Sequence, residues 1–201
     1  CGFGRTGEMF GSDTFGIKPD SISIAKAVTS AYMPLGAVTI SEPVYQALLD
    51  ESRKQGVFAH GFTYGGHPVS CAVALKTLEI YKRIDIVGHV KRVAPIFQAR
   101  LQALAEHPLV GEARGVGLIG ALELVADKPA KASFPAKAAI GARTVAFAPD
   151  EGLICRAVAG DSIALCPPLI VDEALVGELF DRLTRALDRT EALVRSEGLR
   201  T

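Results

Sequence analysis

An excess of either charge is missing from this sequence. Its 201 residues include 22 lysines and arginines and 22 aspartates and glutamates, so the formal net charge is zero. Proteins that bind nucleic acid or an anionic membrane surface usually carry a basic excess on at least one face. The balanced charge therefore predicts a protein whose partners include neither nucleic acid nor a membrane.

Closely spaced metal ligands and paired cysteines are missing too. The chain has four cysteines, at positions 1, 71, 155 and 166, and none of them forms a Cys-x-x-Cys pair. His60 and His67 are too far apart for the usual histidine spacing of a zinc site. We therefore expect reduced thiols and no bound metal.

Long apolar runs are also absent, so no segment is expected to span a bilayer. No signal-peptide pattern opens the chain, and together with the reduced thiols this absence predicts a cytoplasmic protein. The first residue is Cys1 rather than methionine. From this start we expect the chain to be part of a longer protein.

What is present is an alternation of strand-like and helix-like segments, which predicts an α/β fold in which helices cover a sheet. Pro43 and Gly56 bound one predicted helix, and Pro68 opens another that runs to about Arg83. Further helices are expected over 85–106, 136–149 and 172–196. Buried strands are expected over 22–28 and 35–40, and further strands over 116–125, 153–158 and 162–166.

The third and last predicted helices each carry an apolar stripe that indicates an inward face. In the third helix the predicted inward residues are Val90, Val93, Phe97, Leu101 and Leu104. In the last helix they are Leu175, Leu179, Phe180, Leu183 and Leu187. A change of character near residues 83–108 marks the best position for a domain boundary.

The first seven residues, CGFGRTG, match the string Gly-x-Gly-x-x-Gly that is typical of dinucleotide-binding loops. That motif needs a strand before it and a helix that starts within the glycines. Residues 8–20 contain two more glycines and a proline and are a poor helix. The context therefore argues against a nicotinamide cofactor and favours a tight loop.

Lys26 is the one charged residue in the run 21–41, and it follows an expected buried strand. Burial without a partner favours the neutral amine, and a neutral lysine amine is a nucleophile toward aldehydes. The alternative is a lysine whose stem reaches water from the strand edge. The residues alone leave both interpretations open.

The loop AHGFTYGGHP, residues 59–68, combines glycines, Thr63 and the start of a helix at Pro68. Backbone amides and a hydroxyl beside a helix N-terminus can bind phosphate, although glycine and histidine are also common in plain turns. A reactive lysine and a phosphate site together indicate pyridoxal 5′-phosphate (PLP).

Several motifs occur together in the first 81 residues: GFGRTG, then KPD followed by AKA and PLGAV, then HGFTY followed by GHP and CA. In combination they resemble class III, or omega, aminotransferases, which are PLP enzymes of fold type I. The resemblance continues more loosely through RGVGLIGALELV and LCPPLIV. It implies the C-terminal part of the large PLP-binding domain over 1–84. Residues 85–201 would form the α/β C-terminal small domain, entered through a linking helix.

The resemblance implies roles for three residues. Lys26 matches the lysine that holds PLP as a Schiff base and moves a proton between substrate and cofactor. Thr63 matches a threonine that binds the PLP phosphate, usually at the site of the neighbouring subunit. Arg156 matches an arginine that pairs with a substrate carboxylate, although a surface arginine is the alternative.

Two further charged residues are expected to be structural. Arg5 is expected to brace the opening loop by hydrogen bonds to carbonyl groups. Glu123, which lies in an apolar strand, is expected to be a buried carboxylate. The family's aspartate for the pyridine nitrogen has no match here, because the alignment would place it before Cys1.

The activity implied by the resemblance is PLP-dependent transamination in a ping-pong sequence. An amine or ω-amino acid gives its amino group, and a keto acid such as pyruvate receives it. Another class III enzyme, either an aminomutase or a diamine/2-oxoglutarate aminotransferase, is an alternative, as is a truncated fragment without activity. Because the family's sites lie between two subunits, a homodimer is expected for the full-length form.

Overall fold

The computed structural model describes residues 1–200. It divides into two compact units. The first unit comprises Cys1–Gly4 and Glu8–Val87, and the second comprises Arg5–Gly7 and the chain from Gly88 onward. The opening loop therefore contributes backbone to both units. Among residues 1–200, no helix is both long enough and apolar enough to cross a membrane.

A two-stranded antiparallel sheet and helices form the regular structure of the first unit. The strands are β1 (Ser21–Ile24) and β2 (Ala37–Ile40), with Ser21 opposite Ile40 and Ile24 opposite Ala37. The helices are α1 (Gly11–Thr14), α2 (Glu42–Gln55) and α3 (Pro68–Arg83), and a short 3-10 helix spans Lys26–Val28.

Proline and glycine set the ends of α2 and α3, as the sequence predicts. Pro43 and Pro68 lie in the first turns of their helices, where a missing backbone N–H leaves no helical hydrogen bond unmade. Gly56 ends α2 with a φ of 104°, a conformation that favours glycine. Local chemistry is therefore sufficient to place these helix ends.

The strands of the first unit are not buried, so the expectation of buried strands over 22–28 and 35–40 is wrong. β1 alternates between exposed and half-buried residues, and all four residues of β2 are exposed. The buried core of this unit is small and centres on Phe3, Val28 and Ala74. Apolar composition predicted burial because it does not reveal which faces a neighbouring element covers.

A four-stranded antiparallel sheet and longer helices form the second unit. The strands are β3 (Val110–Val116), β4 (Ile119–Leu124), β5 (Arg156–Val158) and β6 (Ser162–Leu165), in the order β3-β4-β6-β5. The helices are α4 (Ile86–Ala103), which begins at the boundary of the unit, α5 (Ile140–Phe147) and α6 (Glu173–Ser196). Short 3-10 helices span Leu104–Glu106, Ala136–Ala138 and Ala148–Glu151.

The apolar stripe of α4 is buried as predicted. Its inward residues, all buried in the core, are Val90, Val93, Phe97, Leu101 and Leu104. The Phe97 ring meets the Phe180 ring of α6 edge to face, with centroids 5.1 Å apart. This contact joins two helices that are far apart in the sequence, and both rings are buried in the core.

The stripe of α6 is confirmed except at its first position. Phe180, Leu183 and Leu187 are buried, whereas Leu175 is 51% exposed. At 100° per residue, Val176 rather than Leu175 falls on the same face as the buried residues. Val176 is fully buried, so the predicted stripe was displaced by one residue at the helix start.

The predicted strand over 116–125 corresponds mainly to β4. The apolar pattern does not predict β3, which pairs with β4 in a hairpin whose turn occupies residues 117–118. Gly117 has a φ of 57°, and a side chain there would overlap the Arg5 carbonyl. The predicted helix over 136–149 is also interrupted. Ala139 has a φ of 49° and separates a 3-10 turn from α5.

His107 lies between α4 and β3, and its side chain is only 8% exposed. The amide of Leu109 donates to Nδ1 at 3.2 Å, so the proton of the neutral ring lies on Nε2, 3.4 Å from the Asp188 carboxylate. Burial lowers the pKa of His107 below its ordinary 6.5, and the hydrogen bond with Asp188 only partly offsets this effect.

The lowered pKa of His107 predicts a loss of stability in acid. Because the unfolded chain binds this proton more tightly than the folded chain, the free energy of unfolding should fall as the pH drops below 6.5. Urea titrations of the wild-type protein and of His107→Asn across this range measure the effect. The wild-type values should fall more steeply in acid, and parallel curves would contradict the assignment.

Candidate active site

Lys26 follows β1 and begins the 3-10 helix Lys26–Val28. Its backbone has a φ of 52°, in the left-handed region that side chains other than glycine rarely adopt. The side chain is exposed, and among the described residues its ammonium group has no hydrogen bond or ion pair. The expectation that Lys26 ends a buried strand is therefore wrong, because the chain leaves β1 and turns before it reaches the lysine.

The segment that follows Lys26 is a tight turn with two more left-handed residues. Ser30 has a φ of 49° and Ala31 a φ of 64°. The Lys26 carbonyl accepts hydrogen bonds from the amides of Thr29 at 3.2 Å and Ala31 at 3.3 Å. Backbone strain of this kind is concentrated at functional sites, where surrounding contacts hold it in place.

Thr63 lies in the exposed loop that leads into α3. The loop is folded by local hydrogen bonds, including one from the Gly65 amide to the Phe62 carbonyl at 2.8 Å. Among the described residues, the Thr63 hydroxyl has no partner. The aromatic residues beside it are strongly exposed, Phe62 at 84% and Tyr64 at 82%. The loop therefore presents a hydroxyl and two aromatic rings to the outside of the first unit.

Arg156 lies in the second unit, at the start of β5. Its side chain is exposed, and in the described part of the chain the guanidinium has no hydrogen bond or ion pair. β5 pairs with β6 through a short turn, in which Arg156 lies opposite Ala164. In this turn the Asp161 carboxylate accepts a hydrogen bond from the Gly141 amide of α5 at 2.9 Å. The hairpin that carries Arg156 is thus fixed to the helix behind it.

Cys155, next to Arg156, is not a competing reactive group. It is half-buried, and burial raises the pKa of its thiol. A protonated thiol is a poor nucleophile. Among residues 1–200 no group of three or more potential metal ligands lies together.

The structural role predicted for Arg5 is confirmed. Its Nη1 donates to the Leu118 carbonyl at 2.9 Å and to the Pro167 carbonyl at 2.6 Å. The opening loop is thereby tied to the β3–β4 turn and to the segment after β6. Partial burial lowers the pKa of the Arg5 guanidinium, mainly through desolvation.

The prediction that Glu123 is a buried carboxylate is wrong. The Glu123 side chain is 38% exposed and accepts a hydrogen bond from Arg114 Nη1 at 2.9 Å. The two residues lie on adjacent antiparallel strands, where side chains on one face can meet. Glu123 therefore forms a surface ion pair across β3 and β4.

Sequence reasoning missed Tyr81, which lies near the end of α3. Its hydroxyl donates to the Ala27 carbonyl at 2.9 Å and is 2.8 Å from Ser30 Oγ. The sequence separation of more than fifty residues gives no local signal for these contacts. The tyrosine could have been found only by knowing that α3 packs behind the Lys26 segment.

The three predicted site residues thus divide between the two units. Lys26 and Thr63 belong to the first unit, and Arg156 belongs to the second. They offer an amine, a hydroxyl and a guanidinium, each exposed and each without a partner among the described residues. This donor set fits a cofactor that has an aldehyde and a phosphate, and a substrate that has a carboxylate.

Comparison with known proteins agrees with this chemistry. A family model described as aminotransferase class-III matches residues 1–187. A probable gamma-aminobutyrate transaminase 3 of Oryza sativa subsp. indica, named as mitochondrial, is 48% identical over 189 residues. A gamma aminobutyrate transaminase 3 of Solanum lycopersicum, named as chloroplastic, is 47% identical over 191 residues. These matches cover 94% and 95% of this chain but only 37% and 36% of the two plant proteins.

Solved structures share the fold. The omega transaminase from Pseudomonas jessenii in complex with PMP is 46% identical, with a TM-score of 0.91 over 96% of this chain and 43% of that one. The PMP-bound aminotransferase from Vibrio fluvialis is 42% identical, with a TM-score of 0.91. That match covers 96% of this chain and 42% of the Vibrio fluvialis chain. The chain therefore has the α/β fold of the fold type I PLP enzymes, and PLP is the cofactor of this family.

The relatives correct the prediction of a cytoplasmic protein. The names of the two plant proteins place them in mitochondria and chloroplasts, which points away from the cytoplasm. Reduced thiols are compatible with any reducing compartment, and balanced charge does not distinguish one compartment from another. Composition therefore could not decide between the cytoplasm and an organelle.

Proposed function

The chain belongs to the class III aminotransferases, and we propose that the protein that carries it catalyses PLP-dependent transamination. An amine or ω-amino acid gives the amino group and a keto acid such as pyruvate receives it, in a ping-pong sequence. The family match over residues 1–187, which includes the unpartnered amine of Lys26, carries this proposal. γ-Aminobutyrate is the first donor to test, because the plant relatives are named for it. Neither the aminomutase nor the diamine-specific alternative has an observation in its favour.

Lys26 is the proposed attachment point for PLP. Its Nζ is exposed and free of ion pairs within the described residues, so it can react with an aldehyde without first breaking a contact. When bound, PLP supplies an electron sink for negative charge at the substrate carbon that bears the amino group. The same Nζ would take the proton from that carbon. In the second half-reaction it would give a proton to the carbon of the keto acid that becomes the amine.

Thr63 is the proposed hydroxyl donor to the PLP phosphate. It lies in a glycine-containing loop just before the N-terminus of α3, where backbone amides favour an anion. Phe62 and Tyr64 are exposed on either side of it. Exposed aromatic residues of this kind are typical of surfaces that bind another protein. We therefore place Thr63 at a homodimer interface, where it would serve the partner subunit's site.

Arg156 is the proposed carboxylate-binding residue. A guanidinium fork can donate two parallel hydrogen bonds to a carboxylate, and no protein carboxylate in the described chain competes for it. The hydrogen bond from the Gly141 amide to Asp161 holds the hairpin that carries the arginine. Both an ω-amino acid and a keto acid have a carboxylate, so one arginine could serve both substrates.

The division of the chain into domains is also a proposal. Residues 1–84 would be the C-terminal part of the PLP-binding domain, and residues 85–201 the small domain. The two compact units support it, since the main division of the chain between them falls between Val87 and Gly88. The start of α4 at Ile86 supports its role as the linking helix.

Replacement of the proposed attachment lysine should abolish turnover. In Lys26→Ala the amine that moves the proton is lost, so kcat with γ-aminobutyrate and pyruvate should fall by about a thousandfold or more. Alanine formation from pyruvate is the measurement. Lys18→Ala is the matched control, because Lys18 is also an exposed lysine of the first unit. A Lys26→Ala protein with wild-type turnover would rule out the proposed function.

Replacement of the proposed carboxylate-binding arginine should affect only substrates with a carboxylate. In Arg156→Leu the KM for pyruvate and for γ-aminobutyrate should rise by about tenfold to a hundredfold, because charge-assisted hydrogen bonds are lost. The KM for n-butylamine, which lacks the carboxylate, should stay within about twofold. Arg53→Leu, at an exposed helix position, is the control. Equal effects on both donors would contradict the assignment.

A further inference from the structure

We propose that Tyr81 is a positioning residue that holds the Lys26 amine in its working direction. The proposal rests on the proposed function, since it takes Lys26 as the residue that carries the chemistry. It concerns Tyr81 and the segment from Lys26 to Ala31, which all lie in the first unit.

The hydroxyl of Tyr81 connects two points of the Lys26 segment. It donates its one proton to the Ala27 carbonyl at 2.9 Å. The neighbouring Ser30 Oγ, 2.8 Å away, must then donate its own proton to the tyrosine oxygen. One side chain of α3 therefore fixes the residue directly after Lys26 and the residue at the start of the next left-handed turn.

These two points are where the segment needs support. Lys26, Ser30 and Ala31 all have positive φ, and each such residue is strained relative to ordinary backbone. Strained conformations persist only where surrounding contacts determine them. The hydrogen bonds of Tyr81 come from outside the segment, whereas those from Thr29 and Ala31 to the Lys26 carbonyl come from within it.

The hydroxyl is itself held by the core of the first unit. The Tyr81 ring packs against that core, with its centroid 6.3 Å from the Phe3 ring. Phe3 is buried and contacts the Phe10 ring edge to face at 5.7 Å. The position of the oxygen is therefore set by packing, and its hydrogen bonds attach the strained segment to the buried core of the unit.

Loss of the hydroxyl should displace the lysine without unfolding the protein. Tyr81→Phe keeps the ring and its packing but leaves the Ala27 carbonyl and the Ser30 hydroxyl without this partner. The backbone at Lys26 can then relax, and a small displacement of a reacting group costs a large factor in rate. The affinity for substrate depends on other residues and should therefore stay nearly unchanged.

The test uses the PLP-loaded protein and its Tyr81→Phe variant. We expect kcat to fall by about tenfold with the KM for the amine donor within about twofold. The pH at which the visible absorption of the lysine-bound cofactor titrates should also shift, because the direction of the amine toward the cofactor ring changes. The PLP content should match that of Tyr45→Phe, whose exposed tyrosine forms no hydrogen bond through its hydroxyl within the described residues. The melting temperature should be only slightly lower than that of Tyr45→Phe, because the hydrogen bonds to Ala27 and Ser30 are lost while the ring packing is kept.

Two results would overturn the positioning role. One is a Tyr81→Phe protein whose kcat and absorption titration both match the wild type. The other is a fall in activity that disappears when rates are normalised to folded, PLP-loaded protein. If Tyr81→Phe does not fold, Ser30→Ala, which keeps the tyrosine, is judged by the same criteria. If Lys26→Ala retains the cofactor band and turnover, the proposed function fails instead, so the two failures are distinguishable.

Discussion

A lysine held in the left-handed backbone conformation at the end of a short strand is the constraint on which the first unit depends. Lys26 leaves β1 with a positive φ, and Ser30 and Ala31 repeat that conformation within five residues. Such a segment cannot keep its shape through local preference, because L-residues disfavour it. It needs support from elsewhere in the fold, and α3 supplies it through the hydroxyl of Tyr81. We propose that this support sets the direction of the lysine amine.

The second unit holds an exposed hairpin, formed by β5 and β6, in place. Its core is large, and the contact between Phe97 and Phe180 joins α4 to α6. Arg5 ties the opening loop to the β3–β4 turn and to the segment after β6. Asp161 ties the tip of the β5–β6 hairpin to α5. The unpartnered guanidinium of Arg156 is therefore presented from a framework that is fixed at both ends of β6.

Much of this arrangement could be predicted from the sequence wherever a local cause decides the outcome. Pro68 and Gly56 place helix ends, the apolar stripe of α4 identifies buried residues, and the motifs identify the family. Predictions failed where tertiary contacts decide. β3 was missed because its residues are mostly glycine and charged, with no apolar alternation. Composition predicts burial for the two strands of the first unit because it does not show what covers them. Tyr81 was missed because its partners are more than fifty residues away.

Chemical trapping can show whether Lys26 is the residue of this chain that carries PLP. Reduction of the PLP-loaded protein with borohydride makes the lysine–cofactor bond permanent, and digestion followed by mass spectrometry locates it. We expect a single pyridoxyl modification on the peptide that contains Lys26. A modification on another lysine, such as Lys18, or no modified lysine in this chain, would contradict it.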